Sequence, residues 1–218
     1  MFTPLQIILM TLFVAFLTWQ KYNLQIIAYA GVVFVGLVSG IIMGDIKTGL
    51  LIGGEMCLMS LGIGGYGGSS VPDYNLGTAA GTVFAIAMGQ TGDAALATAI
   101  AIGVPVAALG VQMDVVGKMT GSFFIHKAMA CSDKQDWKGM SRWVWLSQVP
   151  FTLLCALPIL LLMTVGSTYV QSMVTNFPAW LSAGLTVASG MLPALGFAIL
   201  LKYLPMKKYG CFLLFGFV

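Results

Sequence analysis

The sequence predicts an all-α integral membrane protein, a polytopic helical bundle that contains short, broken or re-entrant helices. Three observations carry this reading. Hydrophobic residues make up 59% of the 218 residues and charged residues only 8%, whereas a soluble domain carries roughly 25% charged residues. So few charges cannot cover a folded surface with groups that water favours, and a bilayer suits such a surface. Second, the apolar residues are gathered into runs of membrane-crossing length. Third, one stretch between these runs is too rich in glycine for a helix. At membrane depth such backbone is tolerated only where protein or a water-filled cavity covers it.

The runs follow in order. Residues 4–19 precede Lys21 without a basic leader or a small-x-small cleavage site, so they read as a retained helix. Residues 24–43, 143–166 and 179–201 are each long enough to cross a hydrocarbon core at about 1.5 Å per residue. Residues 94–116 form a fourth span, expected to break at Pro105. Residues 48–63 and 76–88 are apolar but short. Between them lies Gly64-Gly65-Tyr66-Gly67-Gly68-Ser69-Ser70-Val71-Pro72-Asp73, where Pro72 keeps Val71 out of the helical region. This pair is expected to lie inside the bundle and to line something. Gly36, Gly40 and Gly44, then Gly49/Gly53 and Gly77/Gly81, recur every four residues, a spacing that lets helix backbones approach closely. Residues 209–218 are apolar but reach only about half a span, so this segment either packs on a partner or marks a chain truncated at its C-terminus. The whole, residues 1–218, reads as one membrane-embedded domain.

Charge sets the orientation. The net charge of +3 is concentrated at 118–142 and 202–208, while 167–176 carries no Lys or Arg. Basic loops beside apolar spans face the cytoplasm, and neither cluster has the density or aromatic interleaving of a nucleic-acid surface. Residues 117–137 mix Phe123, Phe124, Ile125, Met129 and Trp137 with charges, the pattern of an amphipathic helix lying on the membrane. Cys57, Cys131, Cys155 and Cys211 form no CxxC pair, so they read as small apolar side chains with no disulfide framework or zinc site. No cofactor motif and no hydrolase, metalloprotease or phosphate-loop signature is present. The single histidine, His126, falls in the basic stretch and reads as solvated.

Ionisable and amide groups inside apolar sequence are the candidates for function. They are Glu55, Asp73, Asn75, Gln90 and Gln6, with Tyr66 as a ring able to stack on a flat ligand. Asp73 follows Val71-Pro72 and is placed either to cap the next helix or to accept a hydrogen bond from a hydroxyl. Glu55 reads equally as a ligand group or as a partner of a neighbouring helix. Asp45 is expected to cap the helix after it, while Asp93 and Asp114 are expected to be solvated at segment ends. Carboxylates, amides and rings around a membrane cavity suit a neutral polyhydroxylated ligand.

The ordered set Gly44-Asp45-Ile46-Lys47-Thr48-Gly49-Leu50-Leu51-Ile52-Gly53-Gly54, Met59-Ser60-Leu61-Gly62, Val71-Pro72-Asp73 and Leu76-Gly77-Thr78 resembles the IIC component of the mannose/fructose/sorbose family of the phosphoenolpyruvate-dependent sugar phosphotransferase system. A weaker match extends from Gln6 to the final Phe217-Val218. The resemblance implies a non-catalytic permease subunit of a bacterial inner membrane, with no phosphoryl-acceptor residue of its own. It also implies a IID membrane partner, cytoplasmic IIA and IIB subunits and a trimeric complex, with sugar phosphorylated by IIB at the inner face. Members of that family place Glu or Gln three residues after the Gly-Gly pair. Here Cys57 stands there, and Glu55 lies two residues earlier, about 200° around a helix. The competing reading is a self-contained ion-coupled transporter or channel with Glu55 or Asp73 as its proton or sodium site. A membrane enzyme acting on lipid-linked substrates is argued against by the missing catalytic signatures.

Overall fold

Ten consecutive residues of one short helix, Leu76 to Ala85, are buried, and the rest of the fold is arranged around them. The computed structural model describes residues 2–23, 31–61, 63 and 70–166, with isolated helical positions between 180 and 210. The elements are α1 (Pro4–Asn23), α2 (Gly31–Met43), α3 (Ile46–Ser60), α4 (Tyr74–Ala87), α5 (Gly92–Asp133) and α6 (Trp137–Thr164). Among the described residues there is no strand. The first half of span 24–43, most of 179–201 and the basic 202–208 segment lie largely outside them.

Helices α1, α5 and α6 are long and apolar enough to cross a membrane. At 15 and 14 residues, α3 and α4 reach only about 21–23 Å, short of the roughly 30 Å core. The short pair expected from the sequence is therefore present, and α4 lies at the centre of the bundle.

Hydrophobic burial does not drive helices together in lipid, because acyl chains are as apolar as leucine; close backbone packing has to do so. Glycine makes that packing possible here. In the α2–α3 hairpin, Gly36 and Gly40 lie on Gly49 and Gly53; a side chain added at Gly36, Gly40 or Gly49 would strike backbone, and one at Gly53 would crowd it. Across α4 and α5, Gly77 lies against Gly103, and Gly81 against Ala99. Gly44 has a different task from the one its spacing predicts. It has φ +90° and open space around it, so it makes the turn between α2 and α3, where a residue with a Cβ would be strained. Asp45 then caps α3, accepting from the Thr48 amide at 3.1 Å and the Thr48 hydroxyl at 2.6 Å. Larger side chains fill the remaining space. Met10 and Val14 of α1, Val35 of α2, Phe84 of α4 and Ile159 of α6 share one cluster, and Ile52 and Met56 of α3 meet Ala95 and Ala99 of α5 in another.

Two expectations about α5 fail. Pro105 does not break it: the helix runs 42 residues without interruption. Pro105 stands on the exposed face, so the missing amide bond and the bulky ring fall away from the packed glycine and alanine side. Nor is 117–137 a separate surface helix. Its first part continues α5 to Asp133, a turn at 134–136 follows, and α6 runs back along α5. At about 63 Å, α5 is twice the thickness of a hydrocarbon core. The α5–α6 hairpin carries Met119, Phe123, Ile125, Met129, Trp137 and Trp145 on its exposed surface.

Candidate functional site

The polar groups meet where α4 begins. Pro72 ends the extended approach, and Asp73 caps α4, its Oδ1 accepting from the amides of Asn75 at 3.1 Å and Leu76 at 3.3 Å. The Asp73 amide donates to the Ala107 carbonyl of α5 at 3.0 Å, which pins the turn to that helix. The close approach needs Gly110, since a Cβ there would lie 2.8 Å from the Asp73 Cβ. The second carboxylate oxygen, Oδ2, accepts from Lys21 Nζ of α1 at 3.2 Å. One turn beyond Gly110 on α5, Asp114 pairs with Lys118 at 2.6 Å and accepts from the Ser70 hydroxyl at 2.5 Å. Lys118 also donates to Ser70 at 3.0 Å.

This junction therefore holds two carboxylates, each neutralised by a lysine from a neighbouring turn or helix. Asp114 is 8% exposed, which corrects the expectation of a solvated residue at a segment end. Because α5 continues past Pro105 to Asp133, Asp114 falls mid-helix rather than at its end, and Lys118 one turn on supplies the counter-charge that burial requires. Asp93, in the first turn of α5, is exposed as expected. Asp73, Lys21, Asn75, Gly110 and Cys155 line a cavity of about 10 Å³, room for one water. The site is closed to anything larger in this conformation.

The sequence-derived candidates divide between the ends of α4. Asp73 and Asn75 share the junction. Gln90 lies past the other end of α4, accepting from the Thr98 hydroxyl through its side chain and donating from its amide to Ala85. Gln6 lies at the start of α1, where its Nε2 donates to the Ile42 carbonyl of α2 at 3.4 Å. Glu55 is half-buried on α3 and has no hydrogen bond or ion pair among the described residues, so the expected neighbouring-helix partner is not seen. Tyr66 lies outside the described residues. Sequence reasoning missed Lys21, Ser70 and the Asp114–Lys118 pair. The i,i+4 spacing of the last was a visible signal, whereas the reach from Lys21 to Asp73 spans 52 positions and had none. His126 is exposed on α5, and no group of three metal-ligating side chains occurs among the described residues.

A family model described as "PTS system sorbose-specific iic component" matches residues 4–218. This chain belongs to that IIC family. Among curated relatives, the N-acetylgalactosamine permease IIC component 1 of Escherichia coli K12 is 32% identical over 186 residues, 85% of this chain and 68% of the relative. The mannose-specific EIIC component of the same strain is 29% identical over 181 residues, 82% of this chain, and the match spans 66% of that relative's length. The sorbose-specific EIIC component of Klebsiella pneumoniae is 31% identical over 186 residues, 83% of this chain and 67% of the relative. A solved membrane-protein structure superposes with a TM-score of 0.85 at 26% identity, covering 100% of this chain and 86% of the other. A chain from the cryo-electron microscopy structure of the mannose transporter ManYZ with microcin E492 gives 0.68 at 26% identity, covering 99% and 86%. The IIC family assignment, the all-helical membrane fold and the polytopic reading of the sequence thus agree.

Proposed function

We propose that this IIC chain is the membrane sugar-translocating subunit of a phosphotransferase-system permease in a bacterial inner membrane. It moves a hexose or related sugar across the bilayer for phosphorylation by a IIB partner. The observation that carries this is the family match over residues 4–218, joined to a charge-compensated polar junction at the head of a buried half-length helix. The named substrates of the relatives are mannose, sorbose and N-acetylgalactosamine, all polyhydroxylated rings. Paired carboxylates and amides suit such ligands, because a carboxylate has about four acceptor sites and can accept from sugar hydroxyls while its lysine still balances the charge.

The resemblance to ManYZ supports a IID-type membrane subunit as partner, and the family implies cytoplasmic IIA and IIB subunits and a trimeric assembly. Asp73, Asn75, Glu55, Gln90, Gln6 and Tyr66 are the proposed sugar-contacting set, with Asp73 and Asn75 at the described junction foremost among them. The family match does not favour the ion-coupled alternative. The test is phosphoenolpyruvate-dependent uptake in vesicles that contain this chain with its IID, IIB and IIA partners, screened over mannose, fructose, sorbose and N-acetylgalactosamine. Uptake that needs phosphoenolpyruvate and yields sugar phosphate is expected. Uptake by this chain alone, driven by an ion gradient, would reject the assignment.

A further inference from the structure

Near its turn the α5–α6 hairpin holds a groove of about 310 Å³. Phe124, Ala128 and Met129 of α5 and Met140, Trp143 and Val144 of α6 line it. The spacing of four residues puts each set on one face of its helix. Ala128 is buried at the floor, while Met129 and Val144 are more than half exposed at the mouth. The two helices meet at either end of the groove. Towards the turn, Gly139 lies against the Cys131 sulfur, and further from it Gly117 lies against the Phe151 ring.

The lining chemistry says what fits. The volume has room for about ten waters at roughly 30 Å³ each, and each water needs two to four polar partners. The polar side chains on the wall are Ser132 and Ser147, and the Ser147 hydroxyl already donates to the Val144 carbonyl at 2.6 Å. An apolar chain suits this groove; a cluster of water does not.

Two further observations set the groove at the level of lipid headgroups. Three of the five tryptophans, Trp137, Trp143 and Trp145, fall within nine positions, and tryptophan gathers where acyl chains meet headgroups. The same stretch is basic, with Lys127, Lys134, Lys138 and Arg142 against Asp133 and Asp136. Lys21 and Lys118 are held in ion pairs, whereas Lys134, Lys138 and Arg142 are exposed and have no ion pair among the described residues. Asp136 is engaged at the start of α6, accepting from the Gly139 amide at 2.9 Å. The excess positive charge is complementary to an anionic headgroup.

We propose that the groove holds an acyl chain of an anionic phospholipid, whose phosphate meets the basic side chains around the turn. From Ser132 beside the turn to Phe124 the groove follows α5 for about 12 Å, the course of an acyl chain that leaves its headgroup for the hydrocarbon core. This lipid site is separate from the Asp73 junction and does not depend on which sugar is carried.

The test is native mass spectrometry of the complex of this chain with its IID partner, released from nanodiscs that hold equal phosphatidylglycerol and phosphatidylcholine with the same oleoyl chains. Phosphatidylglycerol is expected to stay bound in preference. Lys134→Gln/Lys138→Gln/Arg142→Gln is expected to lower that preference by about tenfold or more, since each basic residue near an anionic surface is worth roughly fivefold. Val144→Trp fills the mouth from an exposed position and is expected to lower retention of both lipids. A photoreactive benzoylphenylalanine at Met129 is expected to form an adduct of phospholipid mass, a readout that holds even where Val144→Trp folds poorly. Equal retention of the two lipids by wild type, or unchanged retention in a folded Val144→Trp complex, overturns the proposal. So does a Met129 adduct that joins this chain to a second copy or to the IID subunit, because protein then covers the groove.

Discussion

The α2–α4 region and the α5–α6 hairpin are both apolar, yet they treat the bilayer differently. In α2–α4, glycine faces press backbone on backbone and ten successive residues of α4 are buried. In the hairpin, residues 117–150 present bulky side chains outward, among them Met119 at 70% and Trp145 at 58% exposure. The first region holds the polar groups under cover, and the second offers an apolar surface to lipid or protein. Composition alone cannot separate them; helix spacing and the size of the facing residues do.

The sharpest way to break this comparison is to ask which side of the membrane the hairpin turn occupies. The Lys and Arg residues around it predict the cytoplasm. A cysteine at Ser132 is expected to react with an impermeant reagent in inside-out vesicles and not in intact cells. Labelling from outside would invert the topology.

Next in size is a test of the glycine faces. Gly36→Val drives a branched side chain into the backbone of Gly49 and Gly53, so loss of about 3 kcal/mol is expected, seen as collapse of the monodisperse fraction in detergent. Gly54 sits one residue beyond Gly53 with open space around it. Gly54→Ala is expected to be neutral, or to stabilise α3 by roughly 0.5–1 kcal/mol.

A smaller effect is expected at the junction. Asp73→Asn keeps the cap on α4 but removes the charge that meets Lys21. Folded yield is expected to hold while sugar affinity falls about ten- to a hundredfold, the equivalent of roughly 1.5–3 kcal/mol. Unchanged uptake kinetics would reduce Asp73 to a cap. Asp73→Ala loses the cap too, for about 1 kcal/mol of stability, read as a lowered melting temperature.

The smallest expected effect is at the α2–α3 turn. The Thr48 hydroxyl, then its amide, hold the Asp45 carboxyl below its ordinary value of 3.8. A lowered folded pKa means that the stability it contributes is present above 3.8 and is lost as pH falls through the folded value. Thermal melts of wild type and Asp45→Asn are therefore expected to differ most near neutrality, where wild type melts higher, and to converge below about pH 4 as wild type loses that stability. Melts that stay parallel throughout would show that the cap does not depend on charge.

Much of this was legible in the chain. The membrane class, the short central pair and the caps at Asp45 and Asp73 follow from local chemistry: apolar run length, glycine density, and an acidic residue ahead of a helix. The ordered motifs from Gly44 to Thr78 pointed to the IIC family by resemblance to its members. What needed the tertiary structure was everything decided across helices. Pro105 reads as a break because a lone helix loses a backbone bond there, but in the bundle its ring faces outward and α5 runs on. Asp114 reads as a solvated end only while α5 is thought to stop near it. Lys21 meets Asp73 only because α1 packs beside the start of α4, and no local pattern encodes a contact between residues 52 positions apart.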